Sequence, residues 1–176
     1  VAGIARTMQL GHGLDPASQF GPLISAGQRE RVRGYVDAGK REGGELVCGG
    51  DAPARPGYFF EPTVFARMRA DMTPVKSEIF GPVLCVQSFD DADLDRVAAE
   101  ANSTIYGLSG SVWTRDIGLA MQMVRRIDAG QVSVNMHAAL DPAMPFGGNK
   151  QSGWGREFGK EGLEPYLKTK GVSVAW

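Results

Sequence analysis

The stretch PVLCVQSFDDADLDRVAAEANSTIYGLSGSVWTRDIGLAMQMVRRIDAGQVSVN, residues 82–135, decides the fold class. Val83, Leu84, Cys85 and Val86 make an apolar run too short for a helix, and the acids around Asp90 and Asp91 suit a helix N-terminus. Leu94, Val97, Ala98 and Ala101 then recur at helical spacing. Tyr106 to Trp113 reads as a second strand. Asp116 is placed to cap a helix carrying Ile117, Ala120, Met121, Val124 and Ile127, with Arg125 and Arg126 near its negative end and Gly130 just past it. Gln131 to Asn135 is a third strand. Strand, helix, strand, helix, strand in about fifty residues implies right-handed crossovers, and hence an α/β fold with a mainly parallel open sheet and helices on both faces. Such sheets bind ligands outside the carboxyl ends of their strands.

Outward from this block, the first residues are helical, with Val1, Ile4 and Met8 in register. Gly11 to Ile24 carries loop chemistry, and Ser25 followed by Gln28 matches a capping box that opens a helix striped by Val32, Tyr35 and Val36. Glu45 to Cys48 is a short strand, and Tyr58 to Ala66 is extended chain interrupted by Pro62. Beyond Asn135, Pro145 to Gly159 is dense in glycine. The final Gly171 to Trp176 alternates Val172, Val174 and Trp176, the pattern of an exposed edge strand that wants a partner.

Composition narrows the partners. The 176 residues are 43% apolar and 22% charged, with 19 basic against 20 acidic side chains and a formal net charge of −1. There is no electrostatic footprint for nucleic acid or an anionic membrane, and no apolar run approaches a membrane span. A small molecule is the better partner. Cys48 and Cys85 lie far apart without a metal or disulfide spacing, which reads as a reducing, cytoplasmic setting and as small buried thiols. The absent initiator Met and the start inside a helical segment read as a piece of a longer polypeptide.

The candidate site residues divide by chemistry. The glycine loop from Phe146 to Gly155 misses both phosphate-cradling spacings, since Lys150 precedes Gly153 with no Lys directly after it, and Gly153, Gly155 and Gly159 miss G-x-G-x-x-G by one residue. His12 and His137 are the two histidines; His12 sits between glycines in a loop, and His137 lies just past a strand end, where ligands bind. Glu78, beside Ile79, Phe80, Gly81 and Pro82, is either a helix-end charge or a ligand-facing acceptor, and its residue type alone leaves both open.

Several strings, in order, resemble the aldehyde dehydrogenase superfamily. They are Gly21-Pro22-Leu23, the stretch from Lys40 to Gly50, Glu61-Pro62-Thr63-Val64, Glu78-Ile79-Phe80-Gly81-Pro82-Val83, Tyr106-Gly107-Leu108, Val134-Asn135, Pro145-Phe146-Gly147-Gly148, and Lys150-Gln151-Ser152-Gly153 running to Gly155-Arg156-Glu157. The resemblance implies an enzyme that oxidises an aldehyde to a carboxylic acid with NAD or NADP, through a thioester on a cysteine. It implies that Glu78 accepts hydrogen bonds from the nicotinamide-ribose hydroxyls, that Phe80 packs beside the nicotinamide, and that Gln28 and Arg31 fall near the adenosine ribose. It makes Asn135 and Phe146 the floor and aromatic wall of an aldehyde tunnel, with His137, Ala138 and Leu140 at variable positions along it. Run 140–146 looks like members that take aromatic or medium-sized aldehydes.

The departures carry weight as well. Neither Cys48 nor Cys85 matches the family's nucleophile, and Ser77 stands where many members have a second acid. The resemblance therefore implies the carboxyl-terminal part of such an enzyme, with 1–170 belonging to its catalytic domain, 171–176 an oligomerisation strand for a homodimer or homotetramer, and the dinucleotide-binding half, nucleophile and general base outside this chain. Alone, the chain is expected to be inert. The competing expectations are a non-catalytic association module, and a coenzyme A-acylating or semialdehyde-specific member of the same family.

Overall fold

A computed structural model describes residues 1–90, 93–137 and 140–176. The chain divides into two units, Val1–Asp90 and Asp91–Trp176.

In the first unit, helix α1 (Ala2–Thr7) precedes α2 (Ala26–Arg41), strands β1 (Glu45–Cys48) and β2 (Thr63–Ala66), the single turn α3 (Thr73–Lys76) and strand β3 (Val83–Cys85). The sheet runs β1-β2-β3, with β1 antiparallel and β3 parallel to the central β2. Thr63, Val64 and Phe65 on β2 are all buried, as a central strand covered on both faces requires. Phe65 packs with Val32 and Val36 of α2 and with Phe60, Met68, Met72 and Ile79, while Val64 faces a hollow shared with Ile4 and Met8 at the α1 end. Helix α2 starts where the capping pattern places it, the Ser25 hydroxyl accepting from the Gln28 backbone N–H at 3.1 Å.

The second unit holds α4 (Leu94–Ala101), β4 (Tyr106–Gly107), β5 (Ser109–Val112), α5 (Ile117–Arg126), β6 (Gln131–Val134), β7 (Asn149–Lys150), α6 (Gly159–Leu163) and a 3-10 turn at Glu164–Tyr166. β5 and β6 pair in parallel, from Ser109 opposite Gln131 to Val112 opposite Val134, and α5 crosses between them. Asp116 caps α5 as its position predicts, accepting from the backbone N–H of Gly118 at 2.7 Å and Leu119 at 3.1 Å. Asp93 caps α4 through the Arg96 N–H; Asp91 lies outside the described residues.

The α/β class is observed, but the single sheet expected over 82–135 is divided. Among the described residues there are three sheets, with β3 joined to β2 and β5 joined to β6. The stretch from Tyr106 to Trp113 breaks at Leu108 because its two parts find different partners: β4 pairs antiparallel with β7, and β5 with β6. The stripe of α5 is also shifted. Ala120 and Met123 are buried, whereas Ile117 and Met121 point outward. Gly130 does not end α5, which stops at Arg126; it permits a close approach, since a Cβ there would overlap the Gly147 carbonyl. The edge strand expected over 171–176 does not form in the single chain, where no described residue pairs with this segment, and Val172 and Val174 are 78% and 69% exposed.

Candidate functional site

The Glu78–Phe80 turn leads from α3 into β3 and sits on the face of α2 that carries Gln28, Arg31, Val32 and Tyr35, positions three and four residues apart. Ile79 in the middle of the turn is buried against Val32 and Val36, so its neighbours on either side are directed away from the core. Phe80 is 75% exposed and holds a backbone φ of +53°, a left-handed conformation that a bulky residue keeps only when its surroundings impose it. Those surroundings are visible. The Gln28 side-chain amide donates to the carbonyls of Ile79 at 3.1 Å and Phe80 at 2.8 Å, and Arg31 reaches the Glu78 carbonyl at 3.4 Å while its guanidinium lies 5.4 Å from the Tyr35 ring centre. The Glu78 carboxylate, half-buried, makes no hydrogen bond or ion pair among the described residues.

The turn thus gathers all four residues expected at the cofactor, in two layers. Glu78 and Phe80 present an acceptor pair and an aromatic face, while the Gln28 amide and one guanidinium nitrogen of Arg31 donate to the backbone beneath them. A carboxylate with both oxygens uncommitted can take two hydroxyl donors, and a fixed aromatic ring can flank a planar heterocycle at low entropic cost. These residues fit the ribose and nicotinamide of a dinucleotide.

A second group lies in the other unit, at the carboxyl end of β6. Asn135 has φ +55°, and its side chain closes a reciprocal pair with Thr114, accepting from the Thr114 N–H at 3.0 Å and donating to the Thr114 carbonyl at 2.9 Å. His137 Nδ1 lies 2.9 Å from the Ser111 hydroxyl. The ends of β5 and β6 are therefore locked together by side chains. Leu140 is exposed, and Ala138 lies outside the described residues. Phe146 is held by a different pairing, exchanging two 2.7 Å backbone hydrogen bonds with Glu157, with its ring 6.5 Å from that of Phe158.

The cationic groups of the glycine loop prove to be structural. Lys150 donates to the carbonyls of Asn102 and Thr104, and Arg156 to those of Gly148 and Gly155 and to the Asn149 side chain. Neither is left to cradle a phosphate. His12 accepts from the Leu14 N–H in its loop. Burial pushes the Cys85 thiol up from its ordinary value, the opposite of what a nucleophile needs. No group of three or more His, Cys, Asp or Glu side chains among the described residues could hold a metal. No described helix is long and apolar enough to cross a membrane.

The sequence model of the aldehyde dehydrogenase family matches residues 1–172, and the chain belongs to that family. It is 46% identical over 175 residues to a betaine aldehyde dehydrogenase of Rhizobium leguminosarum bv. trifolii, covering 97% of this chain and 36% of the relative. It is 40% identical over 176 residues to the cytosolic 10-formyltetrahydrofolate dehydrogenase of Xenopus tropicalis, covering 20% of that protein. The NAD+ complex of an aldehyde dehydrogenase from Bacillus cereus superimposes with a TM-score of 0.93 at 42% identity, covering 98% of this chain and 35% of that one. A betaine aldehyde dehydrogenase from Staphylococcus aureus in complex with NAD+ gives 0.90 at 39%, covering 96% and 34%. The chain spans between a fifth and about a third of the length of these relatives.

Proposed function

We propose that these residues are the carboxyl-terminal part of an NAD- or NADP-dependent aldehyde dehydrogenase, and that the Glu78–Phe80 turn holds the nicotinamide riboside end of its cofactor. One observation carries the reading: a single turn presents an uncommitted carboxylate and a 75% exposed aromatic ring, both fixed by the buried Ile79 between them. The solved relatives described as NAD+ complexes support it. When bound, the cofactor supplies the acceptor for the hydride of the aldehyde. Glu78 accepts from the ribose hydroxyls and orients the nicotinamide, and Phe80 shields one side of the ring from water.

Asn135, His137, Leu140 and Phe146 line the aldehyde's approach. Asn135 acts chiefly by locking the ends of β5 and β6, and His137 and Leu140 tune which aldehyde is taken. The nucleophilic cysteine and general base belong to the remainder of the enzyme, which is cytoplasmic and assembles as a homodimer or homotetramer through residues 171–176. Assaying this chain beside the intact enzyme tests the division of labour: the enzyme turns over an aldehyde with NAD+ and the chain stays at blank. Turnover by the chain that vanishes in Cys85→Ala overturns it.

A further inference from the structure

We infer that Gln28 is a positioning residue for the cofactor turn, acting through the carbonyls of Ile79 and Phe80. The inference rests on the proposed role of Glu78 and Phe80. In a capping box, a glutamine three residues past the cap serine turns its side chain back to the cap's own N–H. Here only half of that box forms: Ser25 accepts from the Gln28 backbone, while the Gln28 amide reaches across to residues 51 and 52 positions away. Both N–H bonds of Nε2 are committed to two successive carbonyls, and Arg31, one turn further along the same face of α2, takes the third at Glu78.

The placement matters because Phe80 occupies a left-handed backbone conformation. A phenylalanine there relaxes toward an ordinary φ once nothing holds its peptide groups, and such a rotation swings the ring and the neighbouring Glu78 away from any ligand they share. Gln28 grips the carbonyl that precedes the Phe80 nitrogen and the one that follows the Phe80 Cα, so it opposes that rotation directly. In this role it acts through the backbone of the turn.

The test uses the intact enzyme that carries this chain. Gln28→Met keeps the side chain's size and removes both donors, Gln28→Glu replaces the donors with acceptors facing carbonyls, and Ser25→Ala weakens the same helix end without touching the turn. Loss of two such hydrogen bonds is expected to raise KM for NAD+ about tenfold in Gln28→Met, and at least as much in Gln28→Glu. The KM for aldehyde is expected to stay put, and the thermal midpoint to fall no further than in Ser25→Ala. A lowered midpoint with an unmoved NAD+ KM in both Gln28 variants, while Glu78→Gln is impaired, reduces Gln28 to a structural brace and overturns the inference. If Glu78→Gln and Phe80→Ala also leave NAD+ kinetics unchanged, the reading of the turn itself fails and takes the inference with it.

Discussion

Gly81→Ala is a small change with a large expected effect, because the chain passes α2 at this point with no room for a side chain. A Cβ on residue 81 would overlap Cγ2 of Val32 and lie 3.1 Å from its Cγ1 and 3.3 Å from its Cβ. Gly81 is not among the positive-φ glycines, so the penalty is steric and not conformational. Val32 is fully buried, and a β-branched residue in a helix has essentially one χ1 well, so it has nowhere to turn. Overpacking of this kind costs roughly 1–3 kcal/mol, offset by about 0.4–1 kcal/mol from the lower entropy of the unfolded alanine chain. The net expectation is a loss of about 1–2 kcal/mol. Val32→Ala alone removes two buried methyl groups, about 1.6 kcal/mol of transfer energy plus a cavity term. The two changes are complementary in shape, so the double variant is expected to be at least about 1 kcal/mol more stable than the sum of the single losses predicts. Urea denaturation of all four proteins gives the cycle, provided the m-value holds constant. Costs that add to within about 0.5 kcal/mol would refute the close contact between the turn and α2.

Three further outcomes are expected. Asp116→Ala removes the cap of α5 and costs about 1 kcal/mol by the same denaturation measurement, while Asp116→Asn costs much less. The Thr73 hydroxyl, and then the Thr73 backbone N–H, hold the Glu42 carboxyl below its usual range, so its contribution is complete at neutral pH. That contribution is lost as pH falls below about 4.3 and on through the lower folded value, so Glu42→Gln should flatten the acid limb of the stability profile. With the Cys85 thiol pushed up by burial, iodoacetamide near neutral pH should label Cys85 more slowly than a free peptide thiol, and Cys85→Ala should leave turnover of the intact enzyme unchanged.

What was legible in the sequence follows from which interactions are local. Ser25 and Asp116 cap helices through N–H groups two or three residues away, and both helix starts can be read from those residues alone. The family can be read as well, since Glu78-Ile79-Phe80-Gly81-Pro82 and Pro145-Phe146-Gly147-Gly148 are contiguous strings. The break at Leu108 cannot, because it depends on Asn149 and Lys150 pairing with Gly107 and Tyr106 some forty residues earlier. Gln28 marks the limit most clearly. Its spacing from Ser25 reads as a purely local device, and its side chain answers instead to a turn fifty residues downstream. Val172, Val174 and Trp176 do alternate, but a ladder needs a second backbone, and none of the described residues supplies one.

The central claim is that Glu78 orients the nicotinamide from a turn fixed by α2, and Glu78→Gln in the intact enzyme tests it most directly. The amide keeps the size of the side chain and halves its capacity to accept hydrogen bonds. Stopped-flow measurement of reduced-cofactor formation after mixing with aldehyde is expected to show slowed hydride transfer, by about tenfold or more, with the enzyme's thiol still acylated at a normal rate by an activated ester. Hydride transfer at the unmodified rate would contradict the account and remove Glu78 from the site.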